Sequence, residues 1–409
     1  MKLRLFFLSF LFLINTSSFT NAQGGTAISS LNLHPSPRST GLGWTGVSNP
    51  TDDPLGFYYN PAMLGYSSQH NNISVEFNPG ANDWTSLADF KYSNYGFNLG
   101  YNFKNLLKGL NLSAGAGFIH SKFDFGDSFI SNGAYDSYNA FGFSAAVNYY
   151  ILISIGVTYK DINSQTAIGF PFSRIYKLDA TALDYGIHLG VPVIKLIDDK
   201  FSFELSENSK LKPVFNYNLG YSRLNIGDEV YYIDPAQKDP LPLTARLGHT
   251  FRFGIDYKGK NIFINLINYD LILEAQDLLV ERETFSSPGF SYQGIFGDIE
   301  FWKHLVQLKG DENVVVHKGH SISLVETVTI LLGSFHGRGY QFYPKTNGLL
   351  FSTKGLFKWL NNELETDVIN YLSKHFDVRF ITSTIFDGEG GLETDLYSIS
   401  LHFMNFSFN

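Results

Sequence analysis

The stretch FGFSAAVNYYILISIGVTYK, from Phe141 to Lys160, decides the fold class of this 409-residue chain. Apolar side chains alternate with Gly, Ser, Ala, Asn or Thr on both sides of Tyr149 and Tyr150. A period of two residues is typical of a β-strand with one apolar face, and the break at the two tyrosines indicates a tight turn. The stretch therefore predicts an antiparallel hairpin.

The same alternation continues outward in both directions. It recurs in segments 95–103, 110–118, 183–189, 215–221, 241–257, 322–332 and 397–403. Strands of soluble proteins usually have about 5–6 residues, whereas a tilted strand that crosses a membrane needs about 9–11. The polar side of these segments is Gly, Asn, Ser and Thr rather than Lys and Glu, which is typical of a crowded barrel lumen.

We therefore predict an all-β fold, a transmembrane antiparallel β-barrel of about 14 strands. The alternative is a soluble β-sandwich, whose strands are shorter and whose solvent face carries more charge.

The composition agrees with an exported all-β chain. Charged residues make up 17% and aromatic residues 16%, which excludes a disordered chain because disorder goes with more charge and fewer aromatics. The absence of cysteine excludes a disulfide scaffold and a Cys-ligated metal site. The net charge of −8 argues against a nucleic-acid partner.

The first residues predict export. Lys2 and Arg4 precede an apolar run from Leu5 to Ile14, and a polar stretch leads to Ala22. This order is typical of a secretory signal peptide, which we place at residues 1–22. We expect the chain to reach the cell outer membrane, with lipid as its surroundings.

Residues 23–70 are expected to form a plug-like segment and residues 71–409 the barrel. Two stretches interrupt the strand pattern and are expected as insertions, at 270–312 and 354–374. In the second, Leu356, Leu360, Leu364, Val368 and Leu372 recur every four residues, which predicts an amphipathic helix.

The plug-like segment carries a family resemblance. Residues 37–47 (PRSTGLGWTGV) are followed by Asp52-Asp53 and by FYYNPAML at 57–64. This arrangement resembles the start of the PorV/PorQ group of outer-membrane barrels, which look like distant relatives of FadL-type hydrocarbon channels. The resemblance implies a barrel of about fourteen strands with the N-terminal segment folded into the lumen.

Candidate site residues come from two sources. The motif positions in the plug are Arg38, Gly41, Gly43, Asp53, Asn60 and Pro61. Asn60 and Pro61 also suit a plain helix start, with Asn as the cap and Pro at the first helical position. Arg246, Arg252 and Glu326 lie on polar faces of predicted strands, and they should point into the lumen because a charge facing lipid costs about 2–4 kcal/mol.

Motifs for other chemistry are weak. Gly41, Gly43 and Gly46 match a dinucleotide fingerprint, but no strand precedes them and no helix follows. His317 and His320 are expected on opposite faces of a strand, and the acidic stretch 387–395 is expected as an exposed turn rather than a calcium site. No catalytic constellation is recognisable, so we expect neither enzymatic activity nor a cofactor.

Two functions remain open from the sequence. The first is passive passage or binding of small hydrophobic solutes through a FadL-like barrel. The second is a non-transporting, PorV-type barrel that assists type IX secretion or attachment of cargo proteins, with secretion-system proteins as partners. A barrel enzyme acting on lipids is a third and weaker hypothesis.

Overall fold

The computed structural model describes most of the chain. The described residues are 25–85, 88–105, 111–126, 133–168, 174–234, 238–260, 262–284, 287–340, 343–364, 366–387 and 392–406. The predicted signal peptide, residues 1–22, lies outside the described residues, as do residues 388–391 of the acidic stretch.

Eighteen strands are present in the described residues. They are β1 (Asn72–Phe77), β2 (Asn82–Thr85), β3 (Ala88–Asn102), β4 (Leu112–Asp124), β5 (Tyr135–Asn148), β6 (Leu152–Ile168), β7 (Arg174–Pro192), β8 (Phe203–Ser206), β9 (Ser209–Gly227), β10 (Thr244–Lys258), β11 (Phe263–Leu278), β12 (Val280–Thr284), β13 (Ser287–Tyr292), β14 (Val314–Leu324), β15 (Val328–His336), β16 (Lys345–Ser352), β17 (Phe376–Asp387) and β18 (Leu392–Met404).

Fourteen of these strands form a closed antiparallel barrel. Asn72 of β1 lies opposite Met404 of β18 on one side and Gly100 of β3 on the other, so the first strand closes the sheet. The short strands β2 and β8 extend β3 and β9, and β12 and β13 form a separate hairpin. The predicted all-β barrel is confirmed and the β-sandwich is excluded, because a sandwich leaves open edges.

The two ends of the barrel differ. At one end β16 finishes at Ser352 and β18 at Met404; we call this the helix end, because two helices follow β16 there. At the other end β11 finishes at Leu278 and β14 begins at Val314; we call this the loop end, because it carries the long connection between them.

The alternation places two kinds of side chain on the two faces of the wall. On β6, Ile155 is 58% exposed on the outside, whereas Ser154 and Thr158 are buried inside. On β3, Phe97 and Leu99 are exposed and Asn98 is buried. The predicted arrangement, apolar side chains outward and small polar ones inward, is therefore confirmed.

Residues 25–70 fill the lumen, and we call them the plug. They contain the helices α1 (Pro37–Gly41) and α2 (Met63–Ser67), with 3-10 turns at Ser29–Asn32, Gly56–Tyr58 and Ser68–His70. The side chain of Ser36 caps α1 by accepting a hydrogen bond from the amide of Ser39. Helix α1 packs against β15, β16 and β17, and α2 against β4, β5 and β6, so the plug contacts opposite parts of the wall.

Three segments differ from their predicted form. The alternating stretch 322–332 is two strands, because Val325 and Glu326 both adopt positive φ (47° and 53°) and form a tight turn that keeps the alternation in register. Strand β11 continues past residue 270 to Leu278, because its acidic side chains point into the lumen and find partners there. The segment 354–374 is helical, but as two helices, α4 (Lys354–Leu364) and α5 (Asp367–His375), since Thr366 caps a new start.

The remaining helices lie outside the lumen. Helix α3 (Val193–Ile197) follows β7, and a π-helical turn at Phe301–Val306 packs on the outer face of the wall, where Leu305 is buried against Ala275. Among the described residues, no helix has the length and apolar character needed to cross a membrane.

Candidate functional site

The plug is held to the wall by a carboxylate. Glu274 of β11 accepts hydrogen bonds from three consecutive main-chain amides, those of Gly46 (2.9 Å), Val47 (3.0 Å) and Ser48 (3.0 Å). Consecutive amides that converge on one anion form a concave binding site known as a nest. Here the anion belongs to the wall, so the arrangement fixes the plug loop in place.

Arg246 lies beside this carboxylate and is fully buried. Its Nη2 donates to the carbonyl of Trp44 at 2.5 Å and lies 3.7 Å from Glu274, and its guanidinium carbon is 3.5 Å from the centre of the Tyr59 ring. The residue points into the lumen, and its partners are on the plug and the neighbouring strand. It therefore holds the plug rather than facing open space.

A second ionic contact joins the plug to β17. Arg379 donates two hydrogen bonds of 2.7 Å to the carboxylate of Asp52, and its Nε donates to Asp377 at 2.7 Å. Desolvation alone would raise the pKa of Asp52, but the charge and hydrogen bonds of Arg379 lower it well below its usual range. Asp52 is therefore ionised at neutral pH. Arg38 lies 3.9 Å from the same carboxylate and donates to Thr51.

Gly41 and Gly43 lie where the plug touches the wall. A Cβ on Gly41 would lie 3.2 Å from the Cβ of Leu331. Gly43 has a φ of 73°, and a Cβ there would lie 2.7 Å from the amide nitrogen of Ser334. Its amide donates to Thr346 at 2.9 Å. Glycine is required at this position because the conformation and the close approach both exclude a side chain.

Asp53, Asn60 and Pro61 organise the plug itself. Asp53 accepts hydrogen bonds from the Ser36 hydroxyl and from the amide of Leu55. Asn60 is fully buried and donates to the carbonyls of Val47 and Ile187, while its Oδ1 accepts from the amide of Ala62. Helix α2 starts at Met63, so Asn60 and Pro61 form the turn that leads into it rather than its first residues.

Arg252 and Glu326 are separate from these contacts and lie toward the helix end. Arg252 donates to Asp270 through Nε (2.7 Å) and Nη2 (2.9 Å). Glu326 lies in the turn between β14 and β15, not within a strand, and it pairs with Lys358 and, at 3.7 Å, with Lys354 of α4. The predicted lumen-facing charges therefore have partners of opposite charge in the described structure.

Sequence reasoning did not list Glu274, Arg379, Lys160 or Asp184. Lys160 and Asp184 are fully buried, with Nζ 2.9 Å from Oδ2, and Lys160 also lies 4.2 Å from the centre of the Tyr58 ring. The signal that could have found all four is a charged residue at an inward position of a predicted strand, the criterion that selected Arg246 and Arg252.

An aromatic pocket opens above the plug at the loop end. Its cavity volume is about 340 Å³, within the range of small-molecule sites. The apolar lining consists of Leu33, Trp44, Trp84, Phe90, Phe123, Phe125, Leu278, Val315 and Tyr340. Two of the polar atoms there, Nε1 of Trp44 and Nε2 of His317, are buried and have no hydrogen-bond partner in the described part of the chain.

Trp44 joins this pocket to the plug. Its φ is 59°, which is rare for a bulky residue. The ring stacks on Phe335 with centroids 4.5 Å apart, and the Trp44 carbonyl accepts from Arg246. A strained residue persists only where its surroundings fix it. The wall of the pocket thus includes a residue whose backbone belongs to the tethered part of the plug.

A second cavity, of about 620 Å³, lies below the plug at the helix end. Its lining is largely polar and charged, and α4 and α5 contribute Lys354, Lys358 and Lys374. Between the two cavities the plug is packed: the space beside Gly46 and Asn49 has a volume of about 10 Å³. In the described residues the plug therefore separates the aromatic pocket from the space at the helix end, where a further cavity of about 360 Å³ adjoins the larger one.

Burial also decides the charge of His34 within the plug. Desolvation, followed by the charges of Arg246 and Lys160, lowers the pKa of His34 well below its usual range. Its Nδ1 accepts a hydrogen bond from the amide of Ser36 at 2.9 Å. The imidazole is therefore neutral at physiological pH.

Among the described residues, no group of three or more His, Asp or Glu could hold a metal ion.

Comparison with known proteins gives structural neighbours only. No family model and no curated protein matches the chain. The toluene transporter TbuX of Ralstonia pickettii is 12% identical, with 90% of this chain and 97% of that chain covered and a TM-score of 0.38. A FadL homologue of Pseudomonas aeruginosa is 9% identical, with 90% of this chain and 98% of that chain covered and a TM-score of 0.41. The β domain of the Bordetella autotransporter BrkA is 10% identical, with 83% of this chain and 99% of that chain covered and a TM-score of 0.35.

Likeness at this level assigns no function to the chain. The resemblance to the PorV/PorQ group stays a prediction.

Proposed function

We propose that the chain is an outer-membrane barrel that binds a small hydrophobic solute in the aromatic pocket at the loop end. The single observation that carries this proposal is the pocket itself, which is enclosed by Trp84, Phe90, Phe123 and Phe125 and reaches the plug through Trp44. Aromatic side chains supply large apolar contact areas. Nε1 of Trp44 and Nε2 of His317, which have no partner among the described residues, leave room for a polar atom on a solute but do not require one.

The orientation follows from the connections. Membrane barrels have short periplasmic turns and longer external loops. The longest connection, residues 279–313, lies at the loop end. We therefore place the aromatic pocket at the cell exterior and the helix end in the periplasm, and the exposed apolar wall in lipid.

Passage along the lumen requires the plug to move, because the packed plug separates the aromatic pocket from the cavity at the helix end. Each barrel strand pairs with both neighbours, although β1 covers only Ile399–Met404 of β18. A solute in the pocket contacts Trp44, and Trp44 shares Arg246 with the Glu274 tether. Binding thus acts on the residues that hold the plug.

Binding is tested by tryptophan fluorescence on the protein in lipid nanodiscs, with toluene as the probe. The pocket contains Trp44 and Trp84, whereas Trp302 is exposed in the π-helical turn on the outer face of the wall and serves as the control. We expect Trp84→Ala to weaken toluene binding about tenfold or more, or about 1.4 kcal/mol, and Trp302→Ala to leave it unchanged. Equal effects of the two variants, or no saturable signal, would overturn the proposal.

Passage is tested with a reversible cross-link. The chain has no cysteine, and the positions of Gly41 and Leu331 bring Cβ atoms to 3.2 Å, close to disulfide spacing. In the doubly substituted protein, Gly41→Cys with Leu331→Cys, oxidation should stop toluene entry into proteoliposomes and reductant should restore it. Entry that is the same in both states would show that this part of the plug does not move.

A second candidate function, the PorV-type partner barrel, is favoured by the exposed apolar residues of the helix end. Trp359, Leu364, Val368 and Tyr371 of α4 and α5 are exposed, and an apolar patch of this kind is suited to a protein partner. Affinity purification from the native envelope tests it. Recovery of secretion-system proteins, lost when Trp359 and Val368 are changed to Ser, would support it; recovery of none would remove it.

A further inference from the structure

The cavity at the helix end has an excess of positive charge. Five cationic side chains line it, Arg38, Arg252, Lys354, Lys358 and Lys374, against two carboxylates, Asp52 and Glu326. The cavity lies below the plug and away from the aromatic pocket.

The two carboxylates are already engaged. Asp52 receives both terminal nitrogens of Arg379, and Glu326 pairs with Lys358. Arg38 lies 3.9 Å from Asp52, and Lys354 lies 3.7 Å from Glu326, so neither cation is the nearest partner of its carboxylate.

Two cationic groups of the same cavity are not fully paired. Among the described residues, Lys374 has no carboxylate within ion-pairing distance, and Nε of Arg38 is buried without a hydrogen-bond partner. Arg252, by contrast, is neutralised by Asp270. At least three cationic groups of the cavity can therefore take an added anion.

Buried neutral groups also face this cavity without partners. Asn72 is 3% exposed, and neither atom of its amide has a hydrogen-bond partner in the described residues. His402 is 1% exposed; its Nε2 lies 3.0 Å from the Ser400 hydroxyl, and its Nδ1 has no partner. When the Ser400 hydroxyl donates to Nε2, Nδ1 carries the proton and can donate. Unpaired buried polar groups indicate a missing partner.

The two neutral groups lie close together. Asn72 pairs with Met404, and His402 pairs with Ser74, so the side chains occupy adjacent inward positions of β1 and β18. They lie in the cavity that Arg38 and Lys374 also line. Donors of two kinds, charged and neutral, thus border one cavity.

We propose that this cavity is a binding site for a small soluble anion that carries a carboxylate or phosphate group. Guanidinium and ammonium groups make their strongest hydrogen bonds to such oxyanions. The amide of Asn72 and Nδ1 of His402 supply further donors from the wall. The site does not depend on passage of a hydrophobic solute, since it lies on the other side of the plug.

Isothermal titration calorimetry on the full-length barrel in non-ionic detergent at low salt tests this, with sodium acetate and inorganic phosphate as the probes. We expect saturable heat with at least one of them, and the tighter probe identifies the preferred oxyanion. The variant Lys354→Gln with Lys374→Gln should weaken that binding at least tenfold. The matched control is Lys200→Gln, on an exposed loop at the same end.

Lys374→Gln alone leaves the pairing of Glu326 with α4 intact, so it separates loss of the site from loosening of the helices. It should weaken binding by a smaller factor, and resistance of the barrel to SDS at room temperature verifies folding. The proposal is overturned if neither probe binds, or if the double variant binds as the wild-type protein does. Toluene binding is expected to be unchanged in these variants, so failure here and failure of the proposed function are distinguishable.

Discussion

Glu274 of the wall accepts hydrogen bonds from the main-chain amide of Gly46 at 3.0 and 2.9 Å, although the two residues are 228 positions apart in the chain. The donors are backbone amides, which every residue except proline has, so the plug side chains do not determine this contact. What specifies it is the single carboxylate on β11. The plug loop depends on that carboxylate for its position.

Removal of this carboxylate should loosen the plug loop selectively. Glu274→Ala leaves the amides of Gly46, Val47 and Ser48 without an acceptor and Arg246 without its anion. Breaking a buried ion pair costs about 3–5 kcal/mol. We expect faster hydrogen exchange at these three amides, measured by mass spectrometry, with the wall strands unchanged. Exchange that increased equally throughout the barrel would indicate global destabilisation instead.

Acid should weaken the contact between the plug and β17. The pKa of Asp52 lies well below its usual range, because Arg379 outweighs desolvation. A carboxyl with a lowered folded-state pKa stabilises the folded state above its unfolded pKa of about 4, and this stabilisation is lost as the pH falls through the folded value. Hydrogen exchange of plug amides, corrected for intrinsic rates, should therefore rise below about pH 4. Asp52→Asn should remove this dependence; a slope that persists in the variant would assign it to another group.

A methyl group at position 43 should not be tolerated. In Gly43→Ala the Cβ would lie 2.7 Å from the Ser334 nitrogen at a φ of 73°. We expect a loss of about 1–3 kcal/mol in the free energy of unfolding, measured by urea titration in detergent. Gly294→Ala is the control, because nothing lies within 4 Å of a Cβ there. Similar losses in both variants would contradict the assigned close approach.

The buried pair of Lys160 and Asp184 should show strong coupling. Both side chains are fully buried, with 2.9 Å between Nζ and Oδ2. Lys160→Met alone leaves a buried carboxylate without its cation and should cost about 3–5 kcal/mol. The double variant, Lys160→Met with Asp184→Asn, should be less destabilised than this single variant. A double-mutant cycle measured by urea unfolding gives the coupling energy, and additive losses would mean that the two residues do not interact.

The wall could be predicted from the sequence because the alternation of apolar and polar residues is visible within each strand by itself. On β6, Ile155 faces outward and Ser154 faces the lumen, because successive side chains of a strand point to opposite faces. The alternation of apolar and polar residues in the sequence therefore reports the two faces directly. The turn at Val325 and Glu326 was missed because the alternation continues unbroken across it. Positive φ values are usually found at Gly or Asn, and neither Val nor Glu indicates such a turn.

The site was less predictable because its contacts are between distant segments. Arg38, Gly43 and Asn60 were selected through a family resemblance, and Arg246 through the cost of a charge in lipid. Arg379 and Asp52 are 327 positions apart, and no local pattern indicates that they meet. Pairing of this kind depends on the order of strands round the barrel, which alternation does not specify.

The closeness of plug and wall has a consequence for biogenesis. Gly220 and Gly333 approach the plug backbone so closely that a Cβ would lie 1.9 Å from the Val47 oxygen and 2.1 Å from the Gly43 nitrogen. Clearances this small hinder the entry of a folded plug into a closed barrel. We therefore expect the plug to pack as the sheet closes between β1 and β18, rather than to enter a barrel that is already closed.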